Sequence, residues 1–212
     1  VRLSLEHGHC AESAYGYVTH AITVGALHGD YRAADEYGHL ALAVNRALDD
    51  RRLRAKVYQQ FHGHVNFWCH PLHTCATYAR EAHAAGLDGG DFVYAGYAAG
   101  TETWAALPAC DDLAAFEREY APSVSRIERL GNPGFADMVR LMLAWARALR
   151  GHGVGPLSLT GGDFDEARWL AHYGDARFYA CIHATARLHL AALVGTPAQA
   201  LLEARRAATY LD

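Results

Sequence analysis

Lysine is nearly missing from this chain: Lys56 is the only one, and the other basic residues are all arginine. Acidic residues outnumber basic ones, 23 to 19, for a formal net charge of -4. That balance removes the electrostatic reason to expect a nucleic acid partner. Long apolar runs are also missing. Nothing approaches the roughly 20 consecutive apolar residues of a membrane helix, so no span is expected. The five cysteines (Cys10, Cys69, Cys75, Cys110 and Cys181) are odd in number and form no C-x-x-C pair. A disulfide framework is therefore not expected, and a reducing cytoplasm is the expected compartment. The start, Val1-Arg2-Leu3-Ser4-Leu5, carries neither an initiator methionine nor a signal-peptide pattern. It reads like the tail of a helix, and the chain is expected to be a fragment of a larger one.

Catalytic signatures are equally scarce. No G-x-x-x-x-G-K-[ST] loop is present, and Lys56 follows no glycine run, so nothing would cradle phosphates. There is no H-R-D or D-F-G triplet, and Ser123, Ser125 and Ser158 lie in no G-x-S-x-G elbow. What the chain does have is 212 residues, 51% of them hydrophobic and 20% charged, enough to bury a sizeable core.

A repeated helical unit stands near each end. Gly29-Asp30-Tyr31 is followed by Ala34, Gly38 and Ala41, and Gly195-Thr196-Pro197 by Ala200, Ala204 and Ala207. The small residues fall at the same offsets after a turn glycine and share one helix face, which lets a neighbouring helix approach closely. The second helix of a tetratricopeptide-type hairpin packs in this way.

Apolar periodicity and breakers predict helices nearly throughout. A short first helix ends near Gly8. Others follow over about 12–27, 31–48, 53–68, 71–85, 91–107, 111–130 and 135–150, then a short one capped by Asp163, then 176–194 and 197–211. Gly131-Asn132-Pro133-Gly134 is a turn. Residues 151–162 form one irregular connector with room for a short strand at Leu157-Ser158-Leu159. The fold class is all-α, a single domain over 1–212 of antiparallel hairpins stacked as a TPR-like α-α superhelix (solenoid). Gly63 and Gly96 lie mid-helix, where glycine is costly unless another backbone comes close. Taking each as a close-contact position places Gln60, His64, Trp68, Tyr97 and Thr101 on the concave surface as candidate binding residues.

Fourteen histidines call for a metal reading. The densest group is His62, His64, His70 and His73, with Cys69 and Cys75 nearby. His62 and His64 are two apart on a helix and face different sides, and Pro71 separates them from His73. Packing or surface roles are the expected ones, with no metal, no cofactor and no catalytic residue; a metal-dependent enzyme built on this cluster is the second alternative. Asp111-Asp112 and Asp163-Asp165-Glu166 open helices, where capping accounts for them.

Four segments in order carry a resemblance: Tyr15-Gly16-Tyr17 through Leu40-Ala41-Leu42, Asn66-Phe67-Trp68-Cys69-His70-Pro71-Leu72, Tyr94-Ala95-Gly96-Tyr97-Ala98, and Leu159-Thr160-Gly161-Gly162-Asp163-Phe164-Asp165-Glu166. Together they resemble the tetratricopeptide-like region of very large bacterial signalling proteins. Those proteins carry a serine/threonine-kinase-like domain, an AAA-type ATPase, these helical repeats, a GAF domain and a sensor histidine kinase. Phe67 departs from the family pattern, which has histidine before the tryptophan. The resemblance implies a non-catalytic scaffold for protein-protein or interdomain contacts. The alternative is the ligand-sensing superhelix of an ATP-dependent transcription activator.

Overall fold

The helical periodicity is realised almost everywhere. The computed structural model describes residues 1–210, in which eleven α-helices follow one another: α1 (Arg2–His7), α2 (Ala11–His28), α3 (Tyr31–Ala47), α4 (Arg51–His64), α5 (His73–Gly89), α6 (Phe92–Ala109), α7 (Leu113–Arg129), α8 (Pro133–Leu149), α9 (Glu166–Tyr173), α10 (Arg177–Val194) and α11 (Pro197–Ala208). A single 3-10 turn, Asn66–Trp68, follows α4. Among the described residues the only ladder pairing is an isolated bridge between Gly161 and Phe164, so the strand expected at 157–159 is absent. No helix of the described chain is long and apolar enough to cross a membrane. The last expected helix stops at Ala208, and Leu211 lies outside the described residues.

The chain divides into two compact units, residues 1–109 with 125–135 and residues 110–124 with 136 onward. In the first unit, two-residue connectors turn α2 back into α3 and α5 back into α6. Gly29 and Gly90 make these turns in the left-handed region, at φ 67° and 74°, where a Cβ would be strained. Asp30 caps α3 by accepting the Ala33 N–H at 3.0 Å, and Asp50 caps α4 by accepting that of Arg52 at 3.0 Å. Buried Asn45 holds the bend between them, donating to the Asp50 carbonyl at 2.9 Å. Alternate helices touch: α2 packs on α4 and α4 on α6, while α3 lies against α2 and α4, and α5 against α4 and α6.

The core of this unit follows from spacing. Ala14, Tyr17, Val18 and Ala21 of α2 meet Ala34, Ala41 and Leu42 of α3 and Val57, Tyr58, Phe61 and Val65 of the α4 region. The small face foreseen on α3 is buried along Ala34, Gly38 and Ala41. A Cβ at Gly38 would stand 2.6 Å from the Phe61 ring, so α3 and α4 approach over a missing side chain. The matching face of α11 (Ala200, Ala204 and Ala207) is only half-buried, against α10. Gly86, expected to stop a helix, lies inside α5 instead. A Cβ there would meet Ala95 Cβ at 2.8 Å, the Asp91 carbonyl oxygen at 2.9 Å and Ala95 N at 3.0 Å. Close packing of α5 on α6 accounts for this glycine better than termination does.

In the second unit, Met138, Val139, Leu141, Met142 and Leu143 of α8 are buried, as are Ala180, Ile182 and Leu190 of α10. The irregular segment 150–165 is an ordered loop that inserts its own Leu159 and Phe164 into the interior. Two charge networks brace this unit. Glu117 Oε1 accepts from Arg147 Nε at 2.6 Å, and Arg147 also reaches Asp163 at 2.7 Å. Asp163 is thus a salt-bridge partner, and the cap of α9 is Asp165, which accepts the Arg168 N–H at 2.7 Å. Glu166 is likewise more than a helix-opening residue, because it holds His183 at 2.9 Å and Arg187 at 3.1 Å.

Candidate functional site

The seam where α4 meets α2 on one side and α6 on the other gathers most of the chemically distinctive side chains of the first unit. Tyr94 of α6 stands 3.4 Å from Tyr15 of α2, hydroxyl to hydroxyl. Lys56 of α4 lies over the Tyr94 ring, 5.4 Å from its centroid, and pairs with Asp91 at 3.4 Å. Gln60, one turn further along α4, stands near enough to the Tyr94 hydroxyl to favour its ionised form slightly. Burial, and then the bond with Tyr15, pushes the Tyr94 pKa up to about 12, so this phenol stays protonated across the physiological range.

The five expected surface residues fall in two places. Tyr97 packs on Tyr94 and Phe135, with ring centroids 5.4 and 4.4 Å away. Thr101 donates to the Tyr97 carbonyl at 2.8 Å and lies 3.3 Å from Nε2 of His62. Its methyl group faces Gly63, where an added Cβ would come within 3.9 Å. Gly63 thus sits opposite α6, and Gly96 opposite Asn132. His64 is exposed at the end of α4. Trp68 departs from the group: 54% exposed, it stacks on Tyr31 at 4.7 Å and 20°, beside the start of α3.

Burial holds His62 neutral, its pKa lowered to about 3 with a further contribution from His64. Its Nε2 lies 3.3 Å from the Thr101 hydroxyl, and its Nδ1 is buried without a partner among the described residues.

A second constellation lies on the α3 side. Asp35 and His39 are four apart on α3 and therefore share a face. His70, just past the 3-10 turn, brings Nε2 to 3.0 Å from Asp35 Oδ1, and His39 Nδ1 lies 3.3 Å from the same oxygen. The three donor atoms fall within 4.8 Å of one another. The histidine group foreseen from the sequence is dispersed: His62 is buried on α4, His64 is exposed, and only His70 joins this trio. Local density of histidine does not point to Asp35 and His39, which lie far from the 62–75 cluster along the chain. The i, i+4 spacing Asp35-x-x-x-His39 is the signal that could have found them.

Comparison of the chain with protein-family models, curated proteins and solved structures finds no match.

Proposed function

We propose that the chain is a non-catalytic helical-repeat scaffold, a TPR-like α-α superhelix whose α2–α4–α6 seam receives a protein segment. The observation that carries this reading is the alternating contact of α2, α4 and α6, with α3 and α5 packed outside them in sequence. Stacked hairpins that each contact only their neighbours make such a pattern. The seam chemistry suits a polypeptide. Tyr15, Tyr94 and Tyr97 are half-buried aromatic bodies with polar tips, the type of group enriched where proteins meet. Gln60 and Thr101 add hydrogen-bonding groups beside them.

The parent assembly we infer is a bacterial ATPase and sensor-kinase signalling protein, in which this segment would pass small adjustments between hairpins from one domain to the next. The four motifs quoted above support that assignment.

A photo-crosslinking residue at position 97 tests the scaffold role, with the same probe at exposed position 27 as control. Discrete adducts with a neighbouring domain or partner from position 97, lost in Gln60→Ala, are the expected result. Equal labelling from both positions refutes a specific seam. The signalling assignment is tested by reading the gene outward, where an ATPase upstream and a histidine kinase downstream are expected. A helix-turn-helix downstream would replace that assignment with the transcription-activator reading.

A further inference from the structure

The side-chain trio of α3 and the turn after α4 plays no part in the seam, and its donor set is distinctive. We propose that Asp35, His39 and His70 form a binding site for one divalent transition-metal ion of the zinc class, which ties α3 to the segment that follows α4.

Chemistry selects the class. Two imidazole nitrogens are borderline donors that, beside one carboxylate oxygen, favour zinc or a neighbouring first-row transition metal, whereas magnesium and calcium take nearly all-oxygen shells. Geometry agrees with it. Tetrahedral bonds of about 2.0–2.1 Å place neighbouring donors about 3.4 Å apart. Asp35 Oδ1 already lies 3.0 Å from His70 Nε2 and 3.3 Å from His39 Nδ1. An ion would replace the hydrogen bond between His70 and the Asp35 carboxylate, and His39 Nδ1 would turn to it from the Asp35 backbone carbonyl, which now lies 3.0 Å away.

The scaffold around the trio is firm. Asp35 and His39 are held by α3, and the His39 ring packs edge-on against Phe61, with centroids 5.0 Å apart. His70 comes from a turn fixed at both ends: its N–H donates to the Asn66 carbonyl at 3.0 Å, and Pro71 follows it. Buried Asn66 is itself clamped, donating to Thr74 Oγ1 at 2.7 Å. The third ligand is therefore placed by a rigid backbone, which limits the entropy lost when a metal binds. Three protein donors leave a fourth tetrahedral position for water.

The ordinary alternative is a hydrogen-bonded group in which Asp35 accepts from both imidazoles, and one experiment separates the two. The full chain, without an affinity tag, is stripped with chelator and titrated with cobalt(II), followed by zinc displacement. Visible d–d absorption saturating at one equivalent per chain and abolished by zinc is expected, with no competition from magnesium. His39→Ala and His70→Ala should each weaken binding by more than about tenfold. Asp35→Asn, which keeps a hydrogen-bond acceptor but weakens the ligand, should do the same while circular dichroism stays that of the parent. His73→Ala should bind as the parent does. No saturable absorption, or saturation that Asp35→Asn and His39→Ala leave intact, overturns the proposal.

Discussion

Replacing Gly86 with alanine should destabilise the protein, although alanine is the better helix former. The added Cβ would meet Ala95 Cβ, the Asp91 carbonyl oxygen and Ala95 N at 2.8, 2.9 and 3.0 Å. Relaxed heavy-atom contacts lie nearer 3.5–4.0 Å, so α5 and α6 must part by more than about half an ångström. Two of the three atoms are backbone, and they form the first-turn hydrogen bond of α6, from Ala95 N to Asp91 O. No side-chain rotation relieves the clash. Overpacking costs about 1–3 kcal/mol, and this site belongs at the upper end. Helix propensity returns about 1 kcal/mol, leaving a net loss of about 2 kcal/mol. Gly16 is the internal control: it lies within α2, and a Cβ added there would meet nothing inside 4 Å, so Gly16→Ala should gain about 0.5–1 kcal/mol. Both residues belong to the first unit and report on the same transition. Urea unfolding followed by circular dichroism should move the two midpoints in opposite directions at constant m. In a thermal scan Gly86→Ala should melt about 4–8 °C lower than the parent. If both variants move the midpoint upward, the close approach of α5 and α6 is wrong.

Three further predictions concern charge and capping. His62 is buried with a pKa of about 3 against an ordinary 6.5, so the unfolded state binds the extra proton and stability must fall as pH drops through that window. The slope contributed is about 1.4 kcal/mol per pH unit. His62→Gln should flatten the acid limb of stability between pH 6 and about pH 4; identical limbs would refute a neutral buried imidazole. For Glu166, burial raises the pKa but His183 and Arg187 outweigh it, so the folded value lies below 4.5. Its stabilisation is present above that ordinary value and is lost as pH falls through the lowered one. Glu166→Gln should cost about 1.5–3 kcal/mol at pH 7 and progressively less below pH 4, measured by denaturant titration at both pH values. Asp165→Ala should cost about 1 kcal/mol by uncapping α9. That loss should persist in high salt, whereas Asp163→Ala should lose its smaller effect there, because it removes a partly exposed ion pair with Arg147.

The fold was legible where a local pattern has one physical solution. A glycine turn followed by Ala34, Gly38 and Ala41 can only serve close helix packing, and all three are buried on α3. The same reasoning failed at Gly86, because a glycine near a helix end can serve either termination or contact, and only the position of Ala95 decides. It failed at Asp163 and Asp165 for a similar reason. Both carboxylates lie near the start of α9, and the choice of cap depends on Arg147, 16 residues away along the chain from Asp163. The seam was half legible: Gly63, expected mid-helix, stands one residue before the end of α4 but did locate the contact with Thr101. Nothing local told that Trp68 would turn away to Tyr31, since the break at the 3-10 turn redirects the chain just before it. The trio at Asp35 needed a contact between residues 35 apart, which spacing within one helix does not encode.

Helix α4 holds polar groups that packing alone does not explain. Gln59 Oε1 and His62 Nδ1 are buried without a hydrogen-bond partner among the described residues, and each such group costs about 1–3 kcal/mol. The other two buried polar atoms in this condition are indole nitrogens of Trp145 and Trp169, where a large apolar ring gives a packing reason for the residue. Glutamine and histidine have no such reason, since leucine or phenylalanine would fill the same space at lower cost. Gly63, next to His62, is the penultimate residue of α4, so the penalty of a glycine inside a helix does not apply to it. Local departures of this kind concentrate where a surface is shaped for something other than stability. They fall on the helix at the centre of the α2–α4–α6 seam, within one turn of Gln60 and opposite Thr101. The costs borne by α4 therefore fall on buried neighbours of the residues proposed for recognition, Gln59 beside Gln60 and His62 against Thr101.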